Sequence, residues 1–421
     1  MKTRLIALVT LLVSSTGLLA QCLDPYYPKV YPSRVESGVI YGTSTQYDGT
    51  PVVLKMNIWK PVGDNNTARP VLMWIHGGGF YSGVKEDLDS LASYYAQRGY
   101  VSATIAYRLG FYGPGFYSAP FTYDSSEVIR AAFRAIQDAN GALRFLKGRA
   151  SADSTNTQLA FVGGASAGAI TALNLAYINN PSEQPGDVDS ISNVVTLFSN
   201  AVRPPLGPYT GALNLNGENT DVKAVVNFYG AVLDTTVIDQ NTDPALFSYH
   251  QTGDPVVACG YNVGLWNMPL NVSANYPHLY GSCAIENRML SLGYSPQHYQ
   301  SYFYNGTTHG IHDEVLVDTL VARFLSDIIC ETVSGVNEPG TSFQPAVVYP
   351  NPAGDQVYLK TGKHFGKTEV RVCNLNGAVV YKSEIVAPST LAIPLNGLSE
   401  GIYFLQIISE AGAESLKLVH Y

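Results

Sequence analysis

At 421 residues the chain is too long for one ordinary domain, and its 46% hydrophobic and 14% charged side chains exclude disorder along the whole length. A formal net charge of -8, without a cluster of lysine and arginine, argues against a nucleic-acid partner, because a phosphate-binding surface needs concentrated positive charge.

Residues 1–20 have the layout of a secretory signal peptide. Lys2 and Arg4 form a basic start, residues 5–13 an apolar run, and residues 17–20 a small-residue exit that predicts cleavage after Ala20. The apolar run is too short to span a bilayer comfortably, so no integral membrane segment is expected after cleavage. Gln21 stands where a lipoprotein signal needs a small residue, which excludes lipidation of Cys22. Export carries five cysteines into an oxidising space, where pairing is expected. The expected pairs are Cys259–Cys283, close in sequence, and Cys22–Cys330, which bracket the first large domain; Cys373 is left buried and inert. Sequence by itself does not fix connectivity.

The first large domain is predicted over residues 21–331. Strands are predicted at 52–59, 71–76, 101–107, 159–163, 222–229, 244–250 and 299–304, and helices at 88–97, 126–146, 167–178, 285–291 and 314–329. Continuously apolar strands separated by helices predict an α/β domain whose mostly parallel sheet carries helices on both faces. Asp48-Gly49, between two strand-like segments, predicts a hairpin, so the sheet should begin antiparallel. Segment 179–221 is rich in Asn, Pro and Gly and is either a cap over the site or a surface loop. Residues 332–345 read as a linker. From 346 to 421 short alternating runs recur at 356–360, 369–373, 378–381, 402–407 and 416–419, with turns at Asn376-Gly377 and Asn396-Gly397. That pattern predicts a small all-β sandwich.

Two segments carry chemistry. Gly164-Ala165-Ser166-Ala167-Gly168 follows the strand at 159–163 and opens a helix, the context in which a serine hydroxyl is presented at a strained turn. The helix N-terminus beside it favours developing negative charge. His76-Gly77-Gly78-Gly79-Phe80-Tyr81-Ser82-Gly83 follows the strand at 71–76. Consecutive glycines let peptide N–H groups approach an oxyanion, which predicts Gly78 and Gly79 as donors with Ala167 as the third. The loop lacks the sequels of a phosphate-binding motif, and His76 reads as a residue that fixes the loop. The histidines and cysteines lack zinc-ligand spacing, so no metal is expected; nor is a nucleotide or other cofactor.

Residues 71–83, Tyr107-Arg108-Leu109-Gly110 and residues 161–169 resemble the carboxylesterase/lipase branch of the α/β-hydrolase superfamily over roughly residues 40–330. Ala165 stands where type-B carboxylesterases usually carry Glu, and the domain is shorter than theirs. The resemblance implies an α/β-hydrolase fold and a Ser, acid, His order along the chain. On that pattern Ser166 is the nucleophile, Asp254 the acid, with Asp234 and Asp243 as alternatives, and His309 the base, with His312 as runner-up. The activity implied is hydrolysis of a small-molecule or polymer-linked carboxylic ester through an acyl-enzyme. A serine peptidase on the same fold, or a non-catalytic ligand-binding surface protein, is the alternative. Tyr349-Pro350-Asn351-Pro352, Gly401-Ile402-Tyr403 and the ending Lys417-Leu418-Val419 resemble the C-terminal domains that direct Bacteroidetes proteins through the type IX secretion machinery. That likeness implies outer-membrane passage, removal of the domain, and release or cell-surface attachment.

Overall fold

The computed structural model describes residues 26–114, 119–196, 199–334, 347–360, 367–374, 378–386, 390–409 and 412–421. The segment 1–20, Cys22, the Asn376-Gly377 turn and residues 335–345 of the expected linker lie outside the described residues. The chain divides into two compact units, 1–335 and 336–421.

The first unit is built on a sheet of eight strands: β1 (Ser33–Thr45), β2 (Pro51–Pro61), β3 (Arg69–Ile75), β4 (Val101–Ile105), β5 (Thr155–Ala165), β6 (Ala224–Phe228), β7 (Ala245–Gln251) and β8 (Tyr299–Tyr304). Their order is β1-β2-β4-β3-β5-β6-β7-β8. β1 and β2 form the antiparallel hairpin, with Asp48 accepting from the Thr50 N–H in the turn. β2 meets β4 antiparallel, and every later pairing is parallel. All side chains of β4, β6 and β7 are buried, which is why these strands read as mainly apolar runs without a polar face, broken only by buried polar residues such as Asn227 and His250.

The helices are α1 (Asp89–Gln97), α2 (Ser125–Gly148), the single turn α3 (Ala150–Asp153), α4 (Ala167–Tyr177), α5 (Ser282–Ser291) and α6 (Glu314–Ser334). Side chains along a strand alternate between faces. Accordingly Leu72 and Trp74 of β3 pack with Tyr95 of α1 and Phe324 of α6, while Met73 and Ile75 pack on the side of α2, α4 and α5. Each such fully buried side chain contributes about 1.5–3 kcal/mol. α6 extends through residues 332–334, so helix replaces the start of the expected linker.

One face of α2 grips the segment at 187–221 through its backbone. Arg130 donates to the carbonyls of Asp187 and Asp189, Gln137 to those of Leu206 and Pro208, and Asn140 to that of Tyr209. Arg144 donates to Thr210 and Leu213, and Lys147 to Asp221. These polar side chains are buried, yet each has a partner, as burial of a charge requires. Burial still pushes the Lys147 ammonium down to about 8.

The second unit holds β9 (Val347–Tyr349), β10 (Gln356–Lys360), β11 (Lys367–Cys373), β12 (Val379–Val386), β13 (Thr390–Pro394), β14 (Gly401–Ser409) and β15 (Gly412–His420). They make two antiparallel sheets, β9-β10-β13 and β12-β11-β14-β15. Alternate residues, Val357 and Leu359, Val370 and Val372, Leu405 and Ile407, form its core. β9 and β13 were not predicted from the sequence.

Candidate active site

A single residue, Ser166, separates β5 from α4, with φ 55° and ψ −122°. A side chain held there strains the backbone by about 1–3 kcal/mol. The bend is held by backbone bonds: Ser166 N–H donates to Phe228 O at 2.9 Å, and Ile170 N–H donates to Ser166 O at 2.9 Å. At Gly168 a Cβ would lie 1.9 Å from Ile75 O, so only glycine lets α4 start against the end of β3.

The loop after β3 turns at Gly78, whose φ is 110° and where a Cβ would sit 2.1 Å from Ser82 O. Tyr81 and Ser82 N–H groups close the turn on Gly78 O. Among the described residues nothing accepts from the N–H groups of Gly78, Gly79 or Ala167. The buried His76 ring stacks on Tyr107 with centroids 4.4 Å apart and lies 2.7 Å from Gly77 O, while the Tyr107 hydroxyl donates to His76 O. Burial lowers the basicity of His76, consistent with a neutral ring that holds the loop. Arg108, paired with the buried Asp138 at 2.8 Å, ties the 107–110 segment to α2.

Asp254 lies on the loop after β7, and His309 on the loop after β8. His309 Nδ1 is 2.7 Å from Asp254 Oδ2, and its Nε2 is 2.8 Å from Ser166 Oγ. A carboxylate only accepts, so Nδ1 carries the proton and Nε2 accepts from the serine hydroxyl. Asp254 Oδ1 accepts from the N–H groups of Val256 and Val257 at 2.8 and 3.1 Å. Burial pushes the Asp254 carboxyl up, but His250, His309 and the Val256 N–H together outweigh it and hold the group at about 2.

The alternatives are placed elsewhere. Asp234 accepts from Thr236 N–H, and Asp243 from the N–H groups of Asp239 and Gln240, so each caps its own loop. His312 stacks on Tyr304 at 3.8 Å and meets the Tyr249 hydroxyl at 3.1 Å.

Three groups around His309 escaped the sequence reading. The Gln251 side chain, at the end of β7, donates to Thr308 Oγ1 and Gly310 O and accepts from Thr308 N–H, bracketing His309 on both sides. Tyr229, at φ 45°, sets its ring edge-on to the imidazole with centroids 4.7 Å apart. His250, four residues before Asp254, is wholly buried behind it. The disulfide Cys259–Cys283 joins the end of the loop carrying Asp254 to the start of α5. Cys330 is also disulfide-bonded, but its expected partner Cys22 lies outside the described residues. Cys373 is a buried free thiol.

Beside Ser166 opens a cleft of about 800 Å³ including its mouth, walled by Val128, Phe133 and Ile136 of α2, Ile170 of α4, and Leu265, Tyr276 and Leu279. Pro185 reaches its wall from the 179–221 segment. None of its lining residues carries a charge. Among the described residues no group of His, Cys, Asp and Glu could hold a metal ion, and no helix is long and apolar enough to cross a membrane.

Residues 56–259 match the BD-FAE family, and residues 347–420 match the secretion system C-terminal sorting domain. Gut esterase 1 of Caenorhabditis elegans is 44% identical over 62 residues, which are 14% of this chain and 11% of that protein. The chain therefore spans only about a tenth of the length of that curated relative. Among solved structures, esterase 2 of Thermogutta terrifontis with propionate bound has a TM-score of 0.43 at 16% identity, covering 75% of this chain and 99% of that one. The same esterase phosphoramylated by tabun has a TM-score of 0.43 at 16% identity, covering 74% and 98%.

Proposed function

We propose that the chain is an esterase-like α/β-hydrolase with a type IX secretion tail, exported to the cell surface or beyond, and that it hydrolyses carboxylic esters with Ser166 as nucleophile. His309 Nε2 takes the hydroxyl proton as Oγ attacks the ester carbonyl, and Asp254 steadies the imidazolium that results. The N–H groups of Gly78, Gly79 and Ala167, which donate to no described residue, would receive the oxyanion. His309 then protonates the departing alcohol, and water, activated by the same imidazole, releases the acid from the acyl-enzyme.

One observation carries this reading: a single imidazole lies 2.8 Å from Ser166 Oγ and 2.7 Å from a buried carboxylate. The uncharged cleft supports an ester with an apolar part over a peptide, whose charged terminus would find no counter-ion there. Ser166→Ala should lower kcat on short-chain nitrophenyl esters by about 10⁵-fold or more and abolish labelling by a fluorophosphonate. Full activity of that variant would refute the assignment. Aminoacyl nitroanilides assayed beside the esters separate peptidase from esterase. The sorting tail is proposed to engage the type IX machinery, which secretion of a chain ending before residue 347 would test.

A further inference from the structure

Behind the acid lies a closed row of polar groups on β6, β7 and α5. Gly230 N–H donates to Asn227 Oδ1 at 2.8 Å, which fixes the orientation of that amide. Asn227 Nδ2 must then donate to Ser248 Oγ at 3.1 Å and Ser282 Oγ at 2.9 Å. Ser282, having accepted, has its own proton to give, and its nearest acceptor is His250 Nδ1 at 2.8 Å; Gly230 O is farther, at 3.5 Å. An Nδ1 that accepts leaves the proton on Nε2. That N–H lies 2.9 Å from Val257 O and 3.5 Å from Asp254 Oδ2.

We propose that His250, as the neutral Nε2–H tautomer, is a positioning residue for Asp254. Its one N–H anchors the carbonyl of Val257, whose own N–H is one of the two donors to Asp254 Oδ1, and the same Nε2–H edge faces Oδ2 at 3.5 Å. Both carboxylate oxygens are thereby fixed, and Oδ2 is aimed at His309. The inference rests on the Ser166–His309–Asp254 reading above. Ser282 and the neighbouring Cys259–Cys283 bridge tie the same loop to α5.

The test is a pair of substitutions that split the ring's two functions. His250→Gln keeps a donor at the Nε2 position, whereas His250→Asn keeps an acceptor for Ser282 and removes the donor facing Val257 and Asp254. His250→Asn should lower kcat by about 10–100-fold, the size typical of groups that orient a ligand from behind, with KM little changed. It should also move the far-downfield NMR resonance of the proton between His309 and Asp254. His250→Gln should stay within about fivefold of the parent, well short of the loss expected of such a partner. Wild-type kcat and resonance in His250→Asn would overturn the proposal, as would equal losses in both variants with the resonance unmoved. Should both fail to fold, Ser282→Ala leaves the ring in place: a several-fold fall in kcat at constant KM supports the role, and no change overturns it. An inactive Ser166→Ala beside a silent His250 series would sink this inference alone; an active Ser166→Ala would sink the triad reading first.

Discussion

Ser166 and its two partners, Asp254 and His309, are held in place by different physics. Ser166 is positioned almost entirely by main chain: a positive φ, two backbone hydrogen bonds, and a helix that starts where Gly168 lets it. The loop of His309 is held by a side chain from elsewhere in the chain, with Gln251 reaching Thr308 across 57 positions, while Asp254 takes the N–H groups of Val256 and Val257 and the ring of His309. The bend is thus made by main-chain groups, including the distant Phe228 and Ile75 carbonyls, whereas Asp254 and His309 depend more on side-chain partners. The difference teaches that substitutions near Ser166 should act on the backbone and on stability, whereas those around His309 should act on catalysis with the fold intact.

The largest effect expected is on the side-chain region. Asp254→Asn should lower kcat by about 10⁴-fold, as the imidazole loses the tautomer and orientation it needs. The same substitution has a signature in acid. A carboxyl held at about 2 when folded, against its ordinary 3.8, stabilises the protein above that ordinary value and loses the contribution as pH falls through the folded one. Urea unfolding of the parent should therefore weaken between pH 4 and 2 by more than that of the Asn variant, by about 1–2 kcal/mol. Next comes the main-chain region. Gly168→Ala should cost about 3 kcal/mol or more, because its methyl meets a carbonyl that cannot move without displacing β3. A melting temperature equal to the parent's would break the comparison. Gln251→Leu, back among the side chains, should reduce kcat by about 10-fold or more with little change in melting temperature, since the loop keeps its backbone but not its brackets. The smallest effect sharpens the contrast most: Ser166→Gly should abolish activity yet raise stability by about 1 kcal/mol, releasing the strain at positive φ.

Legibility in the sequence follows the same division. The strands at 71–76 and 244–250 could be read because they are buried and rich in apolar residues, that at 299–304 because aromatic residues favour strands, and the Gly-flanked serine because its signature spans five residues. The alternating runs at 356–360 and 402–407 announced the second unit. Short elements without a periodic signal were missed: β9, β13 and the three-stranded sheet of 231–232, 261–263 and 278–281. The brackets around His309 were invisible because a glutamine at 251 has no local reason to meet a threonine at 308. His250 lay in plain sight, four residues ahead of the acid. Only the chain of donors running back to Gly230 gives it a task.

The grip of α2 on the 187–221 segment has a consequence for how this molecule can vary. Arg130, Gln137, Asn140, Arg144 and Lys147 seize carbonyl oxygens, which every residue possesses whatever its side chain. Attachment of that kind is indifferent to spelling, and outside Arg203, Asn214, Asn216 and Asn219, whose side chains also bind the body, the strap can be rewritten wherever its bends survive. The wall that Pro185, at its head, contributes beside Ser166 is therefore free to be reshaped for a different bound group while the frame of β5, α2 and α4 stays as it is.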